Sequence, residues 1–214
     1  MVPISMTRSS SSASDQCAPR NRVSNRYLGV WQCPTAVIVM LAFLHIPVLQ
    51  AQQPKVSEYQ VKATYLYNFG RFVQWPPNAT AAKGDSFSIC VIGQDPFGTA
   101  LDGMLAGETI DGKAVVAKRV AKPQDAANCR VLYISSSEGS RLKELLAALD
   151  KAGVLTVSDM PQFSQRGGMI QFVMVGSKIR FEVNLTSAQD AGLTLSSDLL
   201  KVAAAVRRTS QPGD

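Results

Sequence analysis

Histidine is almost missing from this chain. There is one in 214 residues, His45, and it sits in a segment that reads as removable. That takes away the commonest general base and a favoured metal ligand, so Ser-His-Asp and Cys-His sites cannot be built. Cysteine is scarce as well, at four residues. The two that lie beyond the removable segment are far apart in sequence, a poor zinc site without histidine. A phosphate-cradling loop is lacking: residues 93–98 (GQDPFG) have neither G-x-G-x-x-G spacing nor a Walker lysine. Asp95 and Asp159 occupy strand ends singly, without the acidic pair of a phosphorelay receiver. A carboxylate pair for glycoside hydrolysis could be drawn among any of the acids and carries no signal. Concentrated positive charge is missing too. The formal net charge is +6, but four of the 22 basic residues and only one of the 16 acidic ones precede residue 52. The remaining 18 and 15 are mild and dispersed, with no basic run interleaved with aromatics, which argues against nucleic acid. No catalytic set, metal or cofactor is expected.

Long apolar runs are also lacking. The longest, residues 36–49 (AVIVMLAFLHIPVL), falls short of the roughly 20 residues a membrane span needs, and His45 and Pro47 interrupt it. Behind Arg20, Arg22 and Arg26 it reads as the apolar core of an export signal, cleaved after Ala51. An uncleaved anchor is the alternative. Residues 1–51 are thus expected to be a signal peptide and residues 52–214 a single domain in the periplasm. Cleavage leaves Cys90 and Cys129. An even count in an oxidising compartment reads as one disulfide, and two buried free thiols are the alternative.

What the chain does have is an aromatic first helix. Of the 12 aromatic residues after position 51, six lie between Glu58 and Pro77: Tyr59, Tyr65, Tyr67, Phe69, Phe72 and Trp75. Val61, Tyr65, Phe69, Phe72 and Val73 recur at helical steps, with Leu66 beside them, which predicts a buried stripe. Lys62 falls off that stripe. Ser57 suits the N-cap, and Pro76-Pro77 stop the helix. Tyr67 and Arg71, one turn apart at the margin, are candidates for a partner surface.

Downstream, short apolar strands alternate with helices. Strands are expected at 87–92, 114–120, 129–134 and 154–157. A helix over 139–151 buries Leu142, Leu145, Leu146 and Leu149. Gly176-Ser177 turns a hairpin between 169–175 and 178–184. A last helix behind Ser196 is expected to bury Leu199, Leu200, Val202, Ala203 and Val206, and the tail from Thr209 is expected to fray. The fold class is α/β, a mainly parallel central sheet with an antiparallel edge hairpin, flanked by helices. In such sheets ligands sit beyond the carboxyl ends of the strands. Asp95, Ser136 and Asp159 are the candidate ligand-binding residues there, although Ser and Asp at those positions also serve as caps and turns.

The run Lys62-Ala63-Thr64-Tyr65-Leu66-Tyr67-Asn68-Phe69, then Arg71-Phe72-Val73 and Trp75-Pro76, resembles the opening of the YfiR family. So do the two cysteines beside apolar strands, Gly167-Gly168-Met169-Ile170, the run from Ile179 to Asn184, Ala191-Gly192-Leu193 and Ser197-x-Leu199-Leu200. The resemblance covers about residues 57–206, and its motifs mark a fold rather than a catalytic site. It implies a periplasmic binding protein that represses an inner-membrane diguanylate cyclase through that enzyme's periplasmic part. An outer-membrane-associated partner and a homodimer are compatible with it. The competing reading is a small-molecule-binding module or an enzyme using Asp95 and Asp159.

Overall fold

The computed structural model describes residues 57–77 and 84–208. The segment 1–51 expected to be a signal peptide, most of the polar loop after Pro77 and the tail from Thr209 lie outside the described residues. Chain order is α1 (Glu58–Phe72), β1 (Val73–Gln74), β2 (Ser86–Ile92), α2 (Thr99–Leu105), β3 (Thr109–Ile110), β4 (Lys113–Val120), α3 (Pro123–Ala126), β5 (Val131–Ile134), a 3-10 turn at Ser136–Glu138, α4 (Leu142–Ala148), β6 (Leu155–Ser158), β7 (Ile170–Val175), β8 (Lys178–Asn184), α5 (Leu185–Asp190), β9 (Thr194–Leu195), α6 (Ser197–Val202) and β10 (Ala205–Arg207).

Strands β2, β5 and β6 are buried on both sides because both faces of their sheet are covered. Eight strands run in the order β10-β8-β7-β6-β5-β2-β4-β3. Those from β4 to β7 pair in parallel, and β3–β4 and β7–β8 are antiparallel. Successive strand residues alternate between two cores. Ile89, Val91, Val131, Tyr133, Leu155 and Val157 share one with α1 and α2. Cys90, Ile92, Leu132 and Ile134 share the other with α3, α4 and Phe163.

The hairpin forms with the expected two-residue turn. A strand that the sequence did not predict, β10, pairs parallel to β8 outside it. The expected last helix stops at Val202 because Ala203 turns extended and Ala204 N–H donates to the Phe181 carbonyl. Val202 and Val206 are therefore exposed rather than buried, and of that set Leu199 alone is fully covered. The predicted long helix over 139–151 is shorter, Leu142–Ala148, behind the 3-10 turn. Cys129 lies in the turn before β5 rather than in the strand, its N–H donating to Ala126.

α1 begins as predicted. Ser57 Oγ accepts from Gln60 N–H at 3.2 Å, and Ser57 N–H donates to Gln60 Oε1 at 2.8 Å, a reciprocal capping box. It ends at Phe72, before the prolines, because Val73 and Gln74 pair with Leu195 and Thr194. Its buried face is rotated from the predicted stripe. Lys62, Ala63, Leu66, Phe69 and Gly70 face the sheet, with Phe69 stacked on Phe172 and edge-on to Phe181. Val61 and Tyr65 are half-buried and Phe72 is 40% exposed. Lys62, expected outside, is 3% exposed.

Candidate functional site

The parallel strand order β4-β2-β5-β6-β7 reverses its winding between β2 and β5, which puts the ligand crevice of this sheet type above their carboxyl ends. Asp95 follows β2, Ser136 follows β5 and Asp159 follows β6. The structure joins each aspartate to its own partners rather than to the other. Asp95 Oδ1 accepts from Phe97 N–H at 2.8 Å, and its Oδ2 accepts from Arg119 Nε at 2.9 Å. Arg119 also donates to Asp102 Oδ1 and the Gly98 carbonyl, each at 2.7 Å. Its guanidinium holds the Asp102 carboxyl below the usual range. Ser136 is exposed. Its neighbour Ser137 does the bridging, accepting from Gln94 N–H at 2.9 Å and donating to Ser135 Oγ at 3.2 Å.

Asp159 sits under the first turns of α1. Lys62 Nζ donates to Asp159 Oδ2 at 2.6 Å and also pairs with Glu58. Tyr59 OH reaches the same oxygen at 3.3 Å, and the buried Tyr133 hydroxyl bonds this carboxylate too. Phe97 sets its ring edge-on to both tyrosines, at 5.5 and 4.7 Å between centroids. The ammonium lies 4.5 Å from the Tyr59 ring centre. Burial pushes the Asp159 carboxyl up, but hydrogen bonds from Lys62 and Tyr133 outweigh it and hold the pKa below the ordinary value. Burial likewise lowers Lys62, and its two carboxylates outweigh that and raise it. Burial, then the Asp159 charge, pushes Tyr133 far up. A lysine held charged is a poor nucleophile, and a carboxylate held ionised is a poor general acid. What the cluster does is fasten α1 across the sheet and fill this part of the crevice with the chain's own side chains.

Tyr67 and Arg71 lie on another side of α1. Tyr67 is half-buried, with Glu108 near its hydroxyl. The exposed Arg71 guanidinium sits 5.9 Å from its ring centre. Sequence reasoning missed the exposed apolar residues, Phe72 beside Val202 and Met174 on the hairpin. The signal was present in the spacing 61-65-68-72, which is a second seam distinct from the buried face. On the opposite core, Cys90 and Cys129 form a disulfide with their Cα atoms 6.0 Å apart.

The YfiR/HmsC-like profile matches residues 59–204, from the first turn of α1 to the residue before β10. The chain belongs to the YfiR/HmsC-like family. That family is periplasmic and regulatory rather than catalytic, and membership suggests a regulator of cyclic di-GMP signalling. For this YfiR/HmsC-like chain, solved structures that align include a conserved domain protein from Vibrio cholerae O1 biovar El Tor strain N16961, at 15% identity and TM-score 0.48. Another is the ABC domain from Streptococcus pneumonia in complex with L-Trp, at 14% identity and TM-score 0.46. The alignments take in 71% and 70% of the YfiR/HmsC-like chain, which spans 60% of the length of each of those proteins. Among the described residues no helix is long and apolar enough to cross a membrane. No group of three or more His, Cys, Asp or Glu converges among them as a metal site.

Proposed function

We propose that the chain is exported, cleaved after Ala51, and represses an inner-membrane diguanylate cyclase by binding its periplasmic part. The observation that carries this reading is the family match over residues 59–204, which takes in both cores, the hairpin and α1. The state of the carboxyl-end groups supports it. Asp95 and Asp159, the acids an enzyme would use, are each held by a cation of the same chain. α1 in contrast leaves Phe72 exposed and Tyr65 and Tyr67 half-exposed, where they can meet another protein. Tyr67 and Arg71 contribute to that contact as an aromatic and a guanidinium on one helix, residue types that often carry interface energy. A periplasmic cue releases the cyclase, and an outer-membrane-associated partner is compatible with this reading.

Deleting the gene should raise cellular cyclic di-GMP several-fold. The full chain should restore it, and residues 52–214 expressed without the leader should not, because they stay in the wrong compartment. Cyclic di-GMP quantified in the three strains tests this. An unchanged or lowered level on deletion would overturn repression, and full rescue by the leaderless chain would overturn the periplasmic site of action.

A further inference from the structure

α1 carries a second seam. Val61, Tyr65, Asn68 and Phe72 follow at steps of four, three and four, the spacing with which one helix packs on another. The first face of the helix is already spent on the sheet, through Leu66 and Phe69. Three depressions of about 830, 870 and 300 Å³ meet along the seam, and Tyr65 lines all three. Their walls are α2 through Met104, the hairpin through Met174, and α6 through Val202. Phe72, Met174 and Val202, three of the five exposed large hydrophobics among the described residues, are 40%, 57% and 55% exposed here.

Shape and charge narrow the occupant. α1 is the floor of a trough, and two such floors cannot meet, so the occupant is convex and apolar along one stripe. From Val61 to Phe72 the floor runs about 16 Å at the helical rise, three turns of a partner helix. Of the acids on the rim, Asp198 is paired with Lys201, and Glu58 shares Lys62 with Asp159. Lys178 and Arg180 on the hairpin, which line the trough, make no ion pair among the described residues. Arg180 donates only to the Val202 carbonyl, at 3.0 Å, which ties the hairpin to α6. The hairpin side of the rim is therefore positive.

We infer that this trough receives an amphipathic helix of the membrane partner, apolar at i, i+3 or i+4, and i+7, with acidic residues flanking the apolar stripe. The inference rests on the proposed function and names the kind of element the partner supplies.

The test is photocrosslinking in cells, with p-benzoylphenylalanine placed at Phe72 or at Met174 of the full exported chain. Mass spectrometry maps the captured segment, which is then synthesised and titrated against the purified protein. Both positions are expected to capture one segment of a membrane protein, with helical apolar spacing and flanking acids. The peptide should bind at least tenfold more weakly to Phe72→Asp and to Lys178→Glu with Arg180→Glu, and more weakly as salt rises. Val202→Asp serves in place of Phe72→Asp if that variant does not fold. Crosslinks to a second copy, to residues 1–56 of the same chain or to a non-helical segment would overturn the inference, as would no crosslink or an unaltered affinity. If deletion still raises cyclic di-GMP while the crosslinks map elsewhere, the trough is wrong and the repressor reading stands. If deletion leaves cyclic di-GMP unchanged, the repressor reading itself fails.

Discussion

Lys62→Met should lower the stability of the folded domain by about 3–5 kcal/mol, the usual loss when one member of a buried ion pair is removed and the other stays. Lys62 is 4% exposed and Asp159 18% as side chains, so solvent does little to replace the lost partner. The substitution roughly keeps the volume of the side chain and leaves the carboxylate without its cation. Replacing both, Lys62→Met with Asp159→Asn, should recover most of the loss, because no unpaired charge is left buried. The pH dependence follows from the two shifts. The Asp159 pKa is depressed in the folded state, so its contribution is present above the ordinary value of 3.8 and is lost as pH falls through the folded value. The Lys62 pKa is raised, so its contribution is present below 10.5 and is lost as pH rises through the folded value. In Lys62→Met, burial is left with less to oppose it and pushes Asp159 up. The stability gap between wild type and variant should therefore narrow on acidification from pH 7 toward 4. Urea unfolding at several pH values measures this, and a single-variant loss under about 1 kcal/mol would show that the pair does not fasten α1.

Removing the disulfide should cost about as much. Cys90 and Cys129 are separated by 39 residues, and closing a loop of that length restricts the unfolded chain by about 4 kcal/mol in the chain-entropy model. Both side chains are buried, at 0% and 1% exposure, so alanine is the fitting replacement, since it adds no unpaired hydroxyl. Cys90→Ala with Cys129→Ala should lose about 2–5 kcal/mol in urea unfolding. The bond ties β2 to the turn entering β5, the two strands whose carboxyl ends frame the crevice. Non-reducing peptide mapping of native protein should give one linked peptide pair, and two alkylatable thiols would contradict it.

Local signals in the sequence were read well where the structure answers them locally. Ser57, Gly176-Ser177 and Ser196 act through bonds to their near neighbours, and the helix start, the hairpin turn and the last N-cap formed as expected. The parallel sheet was legible because strands buried on both faces are continuous apolar runs. The face of α1 was not. Val61, Tyr65, Phe69 and Phe72 make as good a stripe as Leu66, Phe69 and Val73, and the sheet selects the second. What tips the choice is Lys62 with Asp159, a pair 97 residues apart in sequence. Hydrophobic periodicity treats a lysine as a solvent residue and cannot see its partner. β10 was hidden for a related reason. Alanines after Val202 suit a helix, and pairing along β8, beginning at the Phe181 carbonyl, draws them into a strand. At the candidate site Asp95, Ser136 and Asp159 were correctly placed beyond strand ends. Arg119 and Lys62, which hold the two aspartates, come from other elements and were not foreseen.

The most direct test of the repressor reading is a solution titration of purified residues 52–214 against the isolated periplasmic part of the cyclase whose output rises on deletion. A 1:1 complex is expected, with a Kd of about 1 μM or tighter, since weaker binding would leave much of a membrane partner free. Tyr67→Ala with Arg71→Ala should weaken it about tenfold or more while leaving the circular dichroism spectrum of the repressor near wild type. No heat of binding and no co-elution, with both proteins folded, would contradict direct repression.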